Sequence, residues 1–210
     1  MKTNITKTIE KDFAKAMHNV CITEEPYADK TVKNESFCGD LSVISVSNCD
    51  FSSCRFADTL FCRAAFSGVI FDSCDFSNCD LTDAYFSNCI FRNCKALGAK
   101  FVGCVFHTAQ FSECNLTFSN FHGSKLDAVK FSGCRINDGS FAECKLKRVE
   151  FDECEFSGCS FFGTPLSGCD LRSCYLSGIV LSDTLRELKG AVISGDQAEI
   201  VAKMLGISVK

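Results

Sequence analysis

The 210-residue chain contains no tryptophan and only two prolines, and no stretch of 18 apolar residues occurs in it. A helix that spans a bilayer needs about 20 such residues, so the sequence predicts no membrane-spanning segment. Basic residues number 22 against 26 acidic ones, which gives a net charge of −4. A protein that holds nucleic acid by neutralising phosphates needs clustered Lys and Arg, so this balance argues against direct nucleic-acid binding.

An export signal is also missing from the first residues, MKTNITKTIEKDFAKAMHNV, which contain neither a continuous apolar segment nor a cleavage site of small residues. The chain has 17 cysteines, a content that in a short secreted protein would indicate a disulfide scaffold. Because no export signal is found, we expect the protein in the cytoplasm with its thiols reduced. The length favours a single domain.

What the sequence has in abundance is a repeat of five residues. The 29 positions reached by steps of five from Leu41 to Leu181 hold 17 Phe, 9 Leu, one Val, one Ile and, at residue 96, one Ala. Mostly small side chains lie two residues before these positions, and 14 of the 17 cysteines belong to that set. A period of five fits neither a helix, with about 3.6 residues per turn, nor a strand, with about two, so the chain must turn a corner once per pentapeptide.

The cysteines also indicate how many corners complete one turn. Seven of them recur every 20 residues without interruption, and we call this set the cysteine column: Cys54, Cys74, Cys94, Cys114, Cys134, Cys154 and Cys174. A step of 20 is four pentapeptides, which predicts a square coil whose sides stack on the next coil through parallel hydrogen bonds, at about 4.8 Å. Inward Phe and Leu side chains would fill its axis. Seven coils at that spacing give a rod roughly 34 Å long.

These residues resemble the repeats of the pentapeptide repeat proteins, whose pattern of a small residue, a polar residue and then Leu or Phe is met by CDFSN, CDLTD and CEFSG. The resemblance covers residues 41–181 and implies an all-β fold, a right-handed quadrilateral parallel β-helix with short helical segments at the two ends. We interpret YADKTVKNESF as a first coil with one residue deleted at its junction, because Phe37 and Leu41 are four apart. Ala96, with Leu97 beside it, predicts a local distortion of one side.

The cysteine column is expected to be structural. Zinc requires four ligands in a tetrahedron, at about 2.3 Å, whereas one cysteine per coil directs the sulfurs along a single line. Disulfides between coils come nearer to an allowed geometry, but a parallel ladder keeps the Cβ atoms about 4.8 Å apart, slightly too far. We therefore interpret the column as small buried hydrophobic residues, and expect Cys21, Cys38 and Cys62 to be the thiols that react with a reagent.

No catalytic constellation is found in the sequence. Its three histidines, His18, His107 and His122, have no partner that the repeat places beside them. Phosphate-binding glycine loops and nucleophile motifs are missing, and an uninterrupted coil offers flat faces where catalysis needs a concave pocket. The expectation is a protein without catalytic activity, metal or cofactor.

The N-terminal segment departs from the repeat. Ile5, Ile9, Phe13 and Met17 recur every four residues, which predicts an amphipathic helix over residues 4–18 that caps the first coil. The expected divisions of the chain are residues 1–26 for this helix and a linker, 27–181 for the β-helix, and 182–210 for a C-terminal cap and dimerisation segment.

The C-terminal segment departs from the repeat as well. Ser194 and Gln197 form a capping box for a helix that ends at Gly206, and the alternation of Ile207 and Val209 predicts a short strand after it. A solenoid needs its last coil shielded, and the same apolar surface is suited to pairing two chains. The residues assigned to cap and dimer are Ile200, Val201, Met204, Leu205, Ile207 and Val209.

Outward charges are distributed unevenly among the four sides. The side centred on Phe51 and its equivalents carries a net charge of −4 once Arg92, Lys130 and Arg172 are counted. Its acidic residues, here called the acidic face and taken as the candidate surface for a partner, are Asp50, Asp72, Glu113, Glu150, Asp152, Glu153 and Asp170. The side centred on Val46 and its equivalents carries four basic residues, here called the basic face: Lys125, Lys145, Lys147 and Arg148. With Asp127 on the same side, its net charge is +3. We therefore expect an electrically two-faced rod.

The closing segment resembles the quinolone-resistance (Qnr-type) subgroup of the pentapeptide repeat proteins in LKG, in QA and in LGISV. That subgroup binds DNA gyrase and topoisomerase IV as a DNA mimic, protects them from fluoroquinolones, and dimerises through its C-terminal modules. The resemblance implies the same partners and a homodimer here. Many members have loops that interrupt the coil and act in protection, and this sequence has none. A generic interaction scaffold with another protein partner, for example a self-immunity factor against a gyrase poison, stays open as the alternative.

Overall fold

A computed structural model describes residues 7–10, 12–23 and 25–209, and within them the chain winds into a stack of four-sided coils. Two sides are built from short parallel strands, and the other two are joined by single parallel bridges. The strands are β1 (Thr8–Ile9), β2 (Tyr27–Ala28), β3 (Lys30–Lys33), β4 (Ser45–Ser47), β5 (Asp50–Ser52), β6 (Ala65–Ser67), β7 (Ile70–Asp72), β8 (Tyr85–Ser87), β9 (Ile90–Arg92), β10 (Val105–Ser112), β11 (Lys125–Ser132), β12 (Lys145–Lys147) and β13 (Glu150–Asp152). The helices are α1 (Phe13–Thr23), the 3-10 helix η1 (Arg186–Leu188) and α2 (Gly195–Met204).

Successive coils pair with a register of 20 residues. Phe71 lies opposite Phe91, which lies opposite Phe111, and on a bridged side Arg55 pairs with Asp75. The all-β class and the four-sided parallel β-helix predicted from the cysteine spacing are therefore confirmed.

The first coil is one residue shorter than the others. Val32 lies opposite Phe51, a step of 19, whereas Asp40 lies opposite Leu60, a step of 20. The register thus changes between residues 36 and 40, and the deletion predicted at the junction with Leu41 is confirmed.

The distortion predicted at Ala96 is wrong. Lys95 keeps its parallel bridges to Asp75 and Asn115, and the Ala96 N–H donates to the Asn115 carbonyl at 2.8 Å. Ala96 is buried, while Leu97 takes an outward position. The backbone path is fixed by hydrogen bonds to both neighbouring coils, so a methyl group in place of a phenyl ring leaves it unchanged.

Phenyl rings fill the axis in two orientations. Rings one coil apart are stacked, as in Phe91 on Phe111, with centroids 4.5 Å apart and planes at 3°. Rings on adjacent sides of one coil meet edge to face, as in Phe106 and Phe111 at 5.8 Å and 66°. The square coil therefore places most neighbouring rings in arrangements that aromatic quadrupoles favour.

The coil turns a corner at the residue that lies two positions after each inward Phe or Leu. This corner residue adopts the left-handed conformation, with a positive φ. Asn78 (φ 57) and Gly98 (φ 65) stand one above the other in this way, and Asn, Asp and Gly adopt such angles at low cost. Phe118 occupies a corner with φ 61 and is 62% exposed. Among the corner residues described from 43 to 178, Ser173 is the one without a positive φ.

The N-terminal helix is not the predicted one over residues 4–18, since α1 begins only at Phe13. Thr8 and Ile9 instead form β1, and the Thr8 N–H donates to the Asp29 carbonyl at 2.9 Å, which adds a strand beside β3. The helix starts where the Asp12 carboxylate accepts the Lys15 N–H at 3.1 Å, the arrangement of an N-cap. The predicted helical position Ile5 lies outside the described residues.

Helix α1 caps the first coil, as its apolar residues predicted. Phe13 and Met17 are buried, and the Phe13 ring lies 5.9 Å from the ring of Phe51 and 6.0 Å from that of Phe56. Ile9 is 73% exposed, because it belongs to the added strand and not to the helix.

The capping box at the start of α2 is confirmed, with Gln197 N–H donating to Ser194 Oγ at 3.3 Å and Ser194 N–H to Gln197 Oε1 at 2.8 Å. Gln197 also donates from Nε2 to the buried carbonyls of Leu171 at 2.7 Å and Cys174 at 2.6 Å. The strand predicted through Ile207 and Val209 is wrong, since both are exposed in an irregular segment. The coil carbonyls at this end already bind Gln197, so they are not available to another strand.

Candidate interaction faces

All seven residues of the cysteine column are buried, and each is a free thiol. Six of the seven Sγ atoms donate to main-chain carbonyls of the preceding coil, as Cys94 does to Phe71 and Cys114 to Phe91, each at 3.5 Å, whereas Cys154 donates to Asp152 in its own coil. Within the described residues no group of His, Cys, Asp or Glu is arranged to hold a metal ion. The cysteine column therefore fills the space beside the phenyl rings and donates hydrogen bonds to main-chain carbonyl oxygens.

A thiol titration of the native protein should find few reactive cysteines. Cys38 is exposed and Cys62 is partly exposed, whereas the other cysteines whose side chains the structure describes are buried. The side chain of Cys21 lies outside the described residues. Burial raises the pKa of Cys89 to about 11, which keeps the unreactive protonated form. Ellman's reagent should therefore modify Cys21, Cys38 and Cys62 before unfolding and all 17 thiols in guanidinium chloride. Rapid reaction of most thiols in the folded protein would contradict the packing.

The acidic face runs along the side built from β3, β5, β7, β9, β13 and the second halves of β10 and β11. Three of its acidic residues are in ion pairs: Lys7–Asp50 at 2.5 Å, Lys130–Glu150 at 3.6 Å and Arg172–Asp170 at 2.6 Å. Lys7 lies before the repeat and was not assigned to this side, and Lys33 of β3 also lies on it, opposite Ser52. These two cations make the side less negative than the −4 counted over the repeat. The hydrogen bonds from Arg172 lower the pKa of Asp170 to about 2.

The rest of the acidic face has no cationic partner within the described part of the chain. Asp72 accepts a hydrogen bond from Ser73 Oγ at 3.0 Å, and Asp152 accepts one from Ser173 Oγ at 3.3 Å. The Glu113 carboxylate lies over Gly133, in the space that a Cβ atom there would need. These carboxylates are the negative charge that a partner would meet.

The basic face is organised around one carboxylate. Asp127 lies 2.6 Å from Arg148 and 3.4 Å from Lys147, and hydrogen bonding from Arg148 leads the effects that lower its pKa. Lys125 lies opposite Lys145 in the parallel register, which places two like charges side by side. The structure thus brings the four predicted basic residues to one side of the rod.

One buried acid escaped the sequence analysis. Glu187 in η1 is 1% exposed, and its carboxylate accepts hydrogen bonds from Gly163 N–H at 2.9 Å and Ser182 Oγ at 2.8 Å. Burial acts to raise the pKa of this group, but the hydrogen bonds, led by that from Gly163, lower it overall. A lone acid between Leu185 and Leu188, just past the last repeat, was the signal that could have identified it.

Two sequence profiles match the chain. The profile described as "Pentapeptide repeat region" matches residues 64–141, and the one described as "Pentapeptide repeats (8 copies)" matches residues 140–178. No curated protein sequence gives a significant match. Among the described residues, no helix combines the length and the apolar character needed to cross a bilayer.

Two solved structures are similar to this chain. A trypsin-treated form of QnrB1, described as a plasmid-mediated fluoroquinolone resistance protein, is 26% identical, with a TM-score of 0.57 over 86% of this chain and 90% of that one. HetL, a pentapeptide repeat protein involved in heterocyst differentiation regulation from the cyanobacterium Nostoc sp. strain PCC 7120, is 19% identical, with a TM-score of 0.43 over 84% of this chain and 95% of that one.

Proposed function

The chain belongs to the pentapeptide repeat proteins, and we propose that it binds the type II topoisomerases DNA gyrase or topoisomerase IV in place of duplex DNA and so protects them from fluoroquinolones. The observation that carries this proposal is the similarity to QnrB1, a fluoroquinolone resistance protein, over 86% of the chain. The function needs binding and no chemistry, which suits a rod with a packed axis.

The shape of the rod supports the proposal more strongly than its charge. Seven coils at about 4.8 Å give roughly 34 Å, which corresponds to about ten base pairs of duplex. Duplex DNA of that length carries roughly 20 negative charges, whereas the acidic side of the protein has a net charge of −4 before Lys7 and Lys33 are counted. Binding would therefore rest on the rod's dimensions and on one acidic side, and less on matched charge density.

The C-terminal end supplies an apolar surface for the proposed homodimer. Ile200 and Val201 are half-buried, and Ile200 packs against the core. Met204, Leu205, Ile207 and Val209 are 38%, 57%, 53% and 48% exposed. Two chains joined end to end through these residues would form a rod of double length. A topoisomerase partner places the protein in the cytoplasm.

A supercoiling assay tests the proposed function directly. Gyrase, relaxed plasmid and an inhibitory concentration of ciprofloxacin are combined with increasing amounts of the protein. We expect micromolar protein to reduce the drug-stabilised cleavage complexes and to restore supercoiling. If micromolar protein changes neither supercoiling nor cleavage, the topoisomerases are not its partners, and a scaffold for another protein becomes the better interpretation.

Charge reversal on the two faces tests which side meets the enzyme. The double variant Asp72→Lys and Glu113→Lys should weaken gyrase binding about tenfold at low ionic strength, and less in high salt, because screening weakens exposed charges. The matched control, Lys145→Glu with Lys147→Glu, reverses the same number of charges on the basic face and should leave binding within about twofold. Equal effects of the two variants in a titration of labelled protein would remove the acidic face from the mechanism.

A further inference from the structure

The parallel ladder of the rod is interrupted near its C-terminal end. At an earlier coil the residue after strand β8, Asn88, donates its N–H to the His107 carbonyl at 2.9 Å. The equivalent bond from Arg148, which follows β12, to Ser167 is not formed in the described chain. Strand β12 therefore has no neighbour on its C-terminal side.

The adjacent side is interrupted at the same level. The Gln110 N–H donates to the Cys89 carbonyl at 3.0 Å, but the equivalent bond from the Asp170 N–H to the Val149 carbonyl is missing from this part of the structure. Asp170 pairs instead with Val192, in the segment that follows the last coil. Strand β13 thus also presents a free edge.

Two local features explain the interruption. Pro165 stands where Lys145 stands one coil earlier, and the Lys145 N–H donates to the Ser124 carbonyl at 2.9 Å; proline has no N–H and cannot make this bond. Ser173 lacks the left-handed corner conformation, and its Oγ accepts the Glu153 N–H at 3.1 Å in place of a main-chain carbonyl.

The other two sides of the coil keep their ladder at this level. On one of them the Phe161 N–H donates to the Val180 carbonyl at 2.9 Å. On the other, the Phe156 N–H donates to the Tyr175 carbonyl at 2.8 Å. The last coil is therefore tilted away from the previous one on two sides and attached on the other two.

The opening forms a groove of about 630 Å³ at the end of the acidic face, a volume within the usual range of about 300–1,000 Å³ for ligand sites. Its walls include Lys130, Val149, Glu150, Asp152, Asp170 and Arg172. Both cations are already paired with carboxylates, at 3.6 Å and 2.6 Å, which leaves Asp152 as the wall carboxylate without a cation among the described residues. The groove thus combines main-chain groups that lack a ladder partner with one carboxylate that no cation compensates among the described residues.

We propose that this groove binds an extended basic peptide segment of a partner protein, which adds as a parallel or antiparallel strand to the free edge of β13 and places a Lys or Arg at Asp152. Strand addition supplies the main-chain hydrogen bonds that the missing ladder leaves unmade. The residual negative charge selects a basic segment over an acidic one. The inference does not depend on the topoisomerase proposal, because it follows from the interrupted ladder and from the charge of Asp152.

Peptide binding tests the proposal with three dye-labelled probes. An octapeptide of alternating valine and lysine should bind the full-length protein, as measured by fluorescence anisotropy. The same peptide with glutamate for lysine, and a version with alternate amides N-methylated to block strand pairing, should each bind at least tenfold more weakly. Equal binding of the lysine peptide and its N-methylated version would overturn strand addition, and so would failure of the lysine peptide to bind.

Two variants locate the binding. Pro165→Ala restores the missing N–H, so the ladder should close and the lysine peptide should lose at least tenfold in affinity; the matched control, Pro26→Ala, changes the other proline and should have no effect. Asp152→Asn should weaken the lysine peptide about tenfold. Unchanged affinity in the Asp152→Asn variant would overturn the assignment of the groove.

Amide hydrogen exchange tests the opening in the unmodified protein. The amides of Arg148 and Asp170 should exchange at least a hundredfold faster than those of Asn88 and Gln110, and the Asp170 amide, which lines the groove, should slow when the lysine peptide is added. Protection of Arg148 and Asp170 without any peptide, equal to that of Asn88 and Gln110, would show a closed ladder and overturn the proposal.

Discussion

Replacing Phe121 by alanine is expected to lower the free energy of unfolding by about 3–5 kcal/mol, the cost of removing a buried phenyl ring and leaving a cavity. Phe121 is 0% exposed and stacks between Phe101 and Phe141, with 4.7 Å between centroids on both sides. Its loss would open the ring stack at its centre. Urea unfolding followed by far-UV circular dichroism measures the change.

Phe118 provides the matched control for this substitution. It lies three residues earlier, and Phe118→Ala removes the same atoms, but its ring is 62% exposed at a corner. Exposed substitutions of this kind usually change stability by no more than about 0.5 kcal/mol. Similar losses for the two variants would contradict the assignment of every fifth residue to the axis.

Alkaline pH is expected to unfold the protein at a point where ordinary globular proteins persist. Burial raises the pKa of Cys89 to about 11 and of Cys144 to about 12, from an ordinary value of 9.0. Unfolding therefore releases thiol protons above pH 9, so the stability due to these groups is complete below pH 9 and is lost as the pH rises through 11 to 12. One pKa unit corresponds to about 1.4 kcal/mol.

The effect is large because it is repeated along the rod. Burial is the leading cause of a raised pKa at seven inward cysteines, Cys49, Cys79, Cys89, Cys104, Cys144, Cys159 and Cys169. Their effects add, and the typical total stability that they oppose is only about 5–15 kcal/mol. The urea midpoint should therefore fall steeply from pH 8 to pH 10.5. The control variant Cys144→Ala removes one titrating thiol. Alanine already occupies the equivalent inward position at Ala84 and Ala109, so the coil should accept it. The fall of the urea midpoint with pH should become shallower in this variant. An unchanged midpoint across this pH range would contradict the burial of the thiols.

The repeat allowed the coil to be predicted because each side obeys the same constraint. An inward ring every fifth residue and a register of 20 determine which residues lie opposite one another, and the shortened first coil followed from the spacing of Phe37 and Leu41. The capping box at Ser194 was visible for the same reason, since its signal is local. The misplaced N-terminal helix has the opposite cause: Thr8 and Ile9 become a strand only because the edge of β3 is there to pair with them.

The candidate surfaces were predictable in position but not in detail. The register fixed which side carries each charge, yet Lys7 reaches Asp50 from outside the repeat, and no period reveals that contact. The groove depends on Pro165 and on the corner at Ser173, and the missing N–H of Pro165 matters only once its ladder partner is known. The buried Glu187 likewise depends on how the last coil is closed.

Competition between the protein and duplex DNA for gyrase tests the central claim most directly. Gyrase is saturated with a dye-labelled duplex, and the unlabelled protein is added while anisotropy is recorded. If the rod occupies the duplex site, the label should be released completely, and the protein concentration needed for half release should rise in proportion to the duplex concentration. A ternary complex, in which the protein binds gyrase at saturation and the duplex stays bound, would contradict the account.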